Sequence, residues 1–130
     1  MSANPAPGFK AYPDHRITTR PAAGEHVQIR FKGDVVADTT DAVRLEETHA
    51  GHVVAPVVYY LPRKDVKMER LVRTDHHTDC PFKGQASYYS LKDGPENAVW
   101  TYEQPYDEML AIKDHLAFYP DKVDTVVTAA

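Results

Sequence analysis

Val27, Ile29 and Phe31 alternate with Gln28 and Arg30. That period of two predicts a half-buried strand. Lys32-Gly33 is a tight-turn signal, and Asp34 to Asp38 returns as a second strand. Thr39-Thr40-Asp41 turns again. Ala42 to Glu47 then predicts a third strand, with Val43 and Leu45 on one face and Arg44 and Glu46 on the other. Three strands joined by short turns predict a meander. Upstream, His15 to Pro21 reads as extended and suited to a sheet edge. Residues 1–14 hold three prolines and no period, which predicts a loose N-terminal arm before a single β domain spanning 15–130.

Downstream, His49 to His52 reads as a loop. Val53 to Leu61 is β-branched and aromatic, but Pro56 cannot donate to a ladder, so the strand proper is Val57 to Leu61. Pro62 to Asp65 starts a turn, and Lys67 to Arg73 is a charged strand candidate. Gln85 to Lys92 and Ala98 to Tyr102 predict two more strands, separated by the turn at Asp93-Gly94-Pro95. Pro105 to Asp114 carries the one helical pattern, through Met109, Ile112 and Lys113. His115 to Tyr119 and Val123 to Val127 complete the strands. Many short strands with frequent turn signals predict a mainly β, antiparallel domain with one or two short helices, not βαβ units.

Composition narrows the function classes. Length fits one domain with a real core, and 42% hydrophobic with 26% charged residues is ordinary for a globular protein. Net charge of -4 offers no basic patch for a polyanion, so nucleic acid is not expected as a partner. No apolar run reaches the ~20 residues of a membrane helix, so no membrane partner is expected either. The N-terminus lacks a basic stretch followed by an apolar one. Cys80 is the one cysteine, so no internal disulfide can form, and a reducing, cytoplasmic setting is expected. A free sheet edge would support a homodimer.

Candidate chemistry gathers around Cys80. A thiol becomes nucleophilic when nearby cations lower its pKa, with His76 or His77 as base. The competing reading is a buried small hydrophobe ahead of Pro81. His76, His77 and Cys80 are also suitable metal ligands, but no paired ligand spacing stands out. Arg63 and Lys83 fit an anionic ligand, with Glu47 positioning Arg63 through a bidentate pair. The alternative for those charges is a structural salt bridge. Tyr60, Tyr88 and Trp100 belong to an aromatic set that either lines a cavity or packs an ordinary β core. Adjacent residues such as His76 and His77, or Tyr88 and Tyr89, point to opposite faces of a strand.

Several stretches together carry a family resemblance. They are His15-Arg16-Ile17-Thr18, Val35 to Thr39, Leu45 to Thr48, Val58 to Val66, Cys80 to Tyr88, Ala98 to Tyr102 and Ala117-Phe118-Tyr119. The chain resembles the domain-of-unknown-function 427 family, sometimes labelled a nucleotidyltransferase domain family, over residues 15–127. The resemblance implies a small two-sheet domain of the β-tent kind, without a settled activity. Relatives of that fold often hold zinc through two Cys-x-x-Cys pairs, and a chain with one cysteine does not carry that site over. The residues give the nucleotidyltransferase label no support: there is no Gly-Ser start followed by Asp-x-Asp, and the glycines are isolated.

These readings converge on a small-molecule-binding domain, with a pocket between the sheets lined by Arg63, Cys80, Lys83, Tyr88 and Trp100. Thiol chemistry at Cys80 is its mechanistic version, and no cofactor can be named. The alternatives are an interaction module without chemistry, and a metal-dependent hydrolase or metal-binding protein.

Overall fold

The computed structural model describes residues 3–130. Strand accounts for 52% and helix for 12%, which places the chain in the mainly β class expected. The strands are β1 (His15–Pro21), β2 (Glu25–Phe31), β3 (Asp34–Thr39), β4 (Val43–His49), β5 (His52–Val53), β6 (Val58–Tyr60), β7 (Leu71–Cys80), β8 (Gly84–Leu91), β9 (Val99–Thr101), β10 (Leu116–Phe118) and β11 (Asp124–Ala129). One short helix, α1 (Gly8–Ala11), precedes them. Three 3₁₀ turns, at Arg63–Asp65, Met68–Arg70 and Asp107–Ile112, interrupt them.

The β2–β3 hairpin forms as its sequence predicts. Lys32 and Gly33 both take positive φ, 52° and 82°, the backbone of a two-residue turn whose twist matches the flanking strands. The third strand of the expected meander goes elsewhere. β3 pairs only with β2 among the named strands, while β4 pairs with β1, β5 and β6. The reason is occupancy of the free edge of β3. Ala37 bridges Val66, and the Lys67 N–H donates to the Val36 carbonyl at 2.8 Å. Strands thus divide into three ladders: β1-β4-β5 with β6 beside β4, β10-β9-β8-β7, and β11-β2-β3.

The β7–β10 ladder is the middle layer. Its strand β8 is buried on both faces, so its alternation serves two cores. Tyr89 and Leu91 join Val27, Ile29, Val36 and Val99 on the β2–β3 side. Ala86 and Tyr88 join Leu45, Tyr60, Tyr102 and Met109 on the β4–β6 side.

Two segments depart from the residue pattern. Lys67 to Arg73 begins as a 3₁₀ turn, and the strand starts only at Leu71, running on to Cys80. Its polar stretch from Arg73 to Asp79 shows no alternation because β7 is an edge strand exposed along most of its length. His49 to His52, read as a loop, forms a hairpin turn through Ala50 and Gly51, both at positive φ. The N-terminal segment makes defined contacts. Asn4 and Ala6 N–H groups donate to Asp107 and Glu108 carboxylates, and the Gly8 N–H donates to the Pro81 carbonyl. A Cβ on Gly8 would stand 2.6 Å from the Phe82 ring, so only glycine permits that approach.

Candidate functional site

The stretch Cys80 to Gly84 is a tight loop closing the β7–β8 hairpin, with Cys80 paired to Gly84. Gly84 sits at φ 118°, where a side chain is strained, and its backbone abuts the Gln104 carbonyl. Phe82 stacks on the His15 imidazole at 4.2 Å, and the Phe9 ring from α1 packs tilted against Phe82 at 5.0 Å. This anchoring turns Lys83 inward. Its Nζ lies 3.4 Å from Glu47 Oε1, and the other Glu47 oxygen lies 2.8 Å from His15 Nε2. The Lys83, Glu47 and His15 side chains are only 15%, 19% and 11% exposed. Three titratable groups are therefore withdrawn from water together.

Beside this trio lies a set of phenols. Tyr60, fully buried, accepts a hydrogen bond from Trp100 Nε1 at 3.2 Å, and the two rings meet edge to face. Burial pushes the Tyr60 hydroxyl far above its ordinary value. The bond from Trp100 opposes that shift, while the nearby Cys80 thiol and Glu47 carboxylate add to it. Tyr102 moves the same way, through burial first and then through Tyr60 and Cys80. Tyr119 is pushed up to about 12 by burial and by its bond with Tyr88. The Tyr88 hydroxyl also meets Thr78 Oγ1 at 2.9 Å. Tyr60, Tyr102 and Tyr119 therefore stay protonated as neutral phenols. Trp100 also borders a mostly apolar hollow of about 210 Å³ that opens toward the β2–β3 side, lined by Ile29, Val57, Tyr59, Leu61, Phe118 and Thr125.

The structure sorts the residues named from sequence into two groups. Glu47, Tyr60, Cys80, Lys83, Tyr88 and Trp100 gather on the β4–β6 side of the middle layer. Arg63 and His77 lie on the other side. Arg63 donates to the Tyr89 hydroxyl at 2.9 Å, and His77 Nδ1 lies 3.2 Å from the Ala86 carbonyl. Glu47 therefore positions Lys83 rather than Arg63, because β4 faces the loop of Lys83. The proposed thiol and its bases are not brought together. His77 shares its face with Ser87, while Cys80 pairs with Gly84 on the opposite one. His76 packs on Tyr88 at 4.6 Å, but it stands four positions from Cys80, about 13 Å along a strand. Proton transfer needs hydrogen-bond reach.

His15 and Tyr119 were not legible as site members. His15 meets Glu47 only through the β1–β4 register, and no local pattern encodes that pairing. Among the described residues, no three His, Cys, Asp or Glu side chains are grouped to hold a metal ion.

A family model described as "Domain of unknown function (DUF427)" matches residues 20–129. The chain belongs to the DUF427 family. No curated protein matches it. The match spans every element of this DUF427 domain from the end of β1 to β11, including Glu47, Tyr60, Cys80, Lys83, Tyr88 and Trp100. The family description carries no reaction, so chemistry must be read from geometry. Among the described residues, no helix is long and apolar enough to cross a membrane.

Proposed function

We propose that this DUF427 domain binds a small molecule between the β4–β6 layer and the middle sheet. Lys83 and the phenols hold its polar, anionic part, while the Trp100 ring covers the rest. The observation that carries this reading is the withdrawn trio of Lys83, Glu47 and His15 beside neutral phenols. Burying charged groups opposes folding, and well-packed hydrophobic residues would serve stability as well. The buried Tyr60 and Tyr102 phenols beside the trio, both raised above their ordinary value, are the kind of perturbed groups that mark binding and catalytic sites. A partly buried lysine gains from an oxyanion because the lower dielectric strengthens their attraction. Cys80, at the rim, is the natural reporter of occupancy. One free thiol supports a reducing, cytoplasmic setting for this work.

The test is a thermal-shift screen of the full chain against small carboxylate and phosphate compounds. A true ligand raises the melting temperature and slows iodoacetamide alkylation of Cys80. Lys83→Met, of similar volume, abolishes both effects while keeping the wild-type circular dichroism. A ligand whose shift survives Lys83→Met, or leaves Cys80 alkylation unchanged, overturns the assignment.

A further inference from the structure

The opposite face of the middle sheet carries a second polar site. An open cleft of about 460 Å³ is lined by Arg73, His77, Gln85, Ser87, Glu103 and Gln104. A register irregularity in β7 between Arg73 and His77 creates it. Arg73 opposes Tyr89 and His77 opposes Ser87, so four side chains share one face although the strands differ in length there.

Two guanidinium groups converge at one end. Arg63 donates to the Tyr89 hydroxyl at 2.9 Å, and Arg73 reaches the same oxygen at 3.4 Å. Each guanidinium carbon lies 5.8 Å from the Tyr89 ring centre. One hydroxyl oxygen thus holds two like charges together. Glu103 answers only one of them, through a bidentate pair with Arg73 at 2.7 and 3.2 Å. That pair holds the Glu103 carboxyl below its ordinary value, and Arg63 adds a smaller push in the same direction. Arg63 has no carboxylate within ion-pair distance among the described residues. Asp79 opposes Gln85 at the far end. It stands about 13 Å along the sheet from Tyr89 at ~3.3 Å per residue. Screening at physiological salt acts over about 8 Å, so Asp79 does not neutralise the arginine end.

Ser87 is not a nucleophile here. Its hydroxyl donates to Glu103 Oε1 at 3.1 Å and accepts from Arg73 at 3.3 Å. His77 Nδ1 faces a carbonyl oxygen and so carries the proton, which leaves it unable to act as base toward Ser87.

We infer that Arg63 and Arg73, bridged by Tyr89, form a binding site for a compact oxyanion, such as a phosphate group on a small polar molecule. Arg63, with no carboxylate partner, can offer its fork to a tetrahedral oxyanion, while Arg73, held by Glu103, adds its charge beside it. Gln85 and Gln104 amides line the remaining length for the polar body attached to it. This site is separate from the one between the sheets and does not depend on it.

The experiment is a titration of the ¹⁵N-labelled full chain with inorganic phosphate, followed by amide and arginine side-chain resonances. Saturable shifts are expected at Arg63, Arg73, Ser87, Tyr89 and Glu103, beyond those caused by sodium chloride at equal ionic strength. Arg63→Gln, at an exposed position, should weaken the affinity about tenfold or more, as expected for one charge-assisted contact. Arg20→Gln, a control arginine paired with Glu46 on another ladder, should leave it unchanged. Shifts no larger than those of sodium chloride overturn the assignment. So does an affinity indifferent to Arg63→Gln, or lowered equally by Arg20→Gln.

Discussion

The two faces of β8 meet the same demand in opposite ways. Both carry a tyrosine, a lysine or arginine, a glutamate and a histidine. On the Tyr88 face these groups are packed between layers, with Lys83 and Glu47 less than one-fifth exposed. On the Tyr89 face the Arg73–Glu103 pair is 47% and 40% exposed. The same residue types thus operate in two dielectrics. An exposed pair contributes about 0–1 kcal/mol because water competes for both partners. A withdrawn one is strongly coupled, since loss of either partner strands the other. The inner face is therefore built into the fold, while the outer face is appended to it.

Substitutions on the two faces separate these regimes. Tyr60→Ala should cost about 3–5 kcal/mol in urea unfolding, because it empties a fully buried aromatic site. A loss below about 1 kcal/mol would show that the inner face is not a packed core. Glu47→Ala should lower stability by about 1–3 kcal/mol, as it leaves Lys83 and His15 withdrawn without their shared carboxylate. Glu103→Ala should change stability by less than about 1 kcal/mol. Equal losses in the two variants would erase the contrast. Tyr60→Phe should follow at about 1–2 kcal/mol, since the Trp100 N–H loses its acceptor. Tyr89→Phe should cost about 0.5 kcal/mol or less, because both guanidinium groups regain water.

Titration probes the same contrast from both ends of the pH range. The Tyr60 and Tyr102 hydroxyls are raised in the fold above their ordinary value of 10. Their contribution is complete below pH 10 and is lost as pH climbs toward the folded values. Stability should decline above pH 10, and absorbance at 295 nm should show phenols that ionise only as the protein unfolds. Glu103 works in the reverse sense. Its folded value is lowered from 4.5, so its contribution exists above pH 4.5 and disappears as pH falls through the lowered value. Glu103→Gln should remove that small acid-limb slope. A wild-type slope retained in the variant would place its origin elsewhere.

The β2–β3 hairpin was legible because everything it needs is local: alternation, and two turn residues that accept positive φ. The meander was not, because β4 finds its partners across a sequence distance that no turn residue reports. Strand β7 was hidden for a different reason. Water covers its polar stretch, so the hydrophobic pattern that marks a buried strand is missing. At the site, residue chemistry groups Glu47, Tyr60, Arg63, Cys80, Lys83, Tyr88 and Trp100 together, and all but Arg63 lie on one side of the middle sheet. The partner given to Glu47 was Arg63 rather than Lys83, a choice that requires knowing which ladder β4 joins. Arg73, Ser87 and Glu103 went unnamed because the Arg73–Glu103 pair spans thirty residues without a motif.

The sequence by itself determined the class of fold, most strand positions, the two-residue turn at Lys32-Gly33 and the residue types able to do chemistry. Those follow from local sterics, turn preferences and the period of burial. Only the tertiary structure decided which side of the middle sheet each polar group occupies. One position of register sends a side chain to the opposite face, and the irregularity in β7 sets that register for Arg73 and His77. Side assignment in turn decides dielectric and partners, and so whether a cation lies sealed against Glu47 or open to a ligand beside Tyr89.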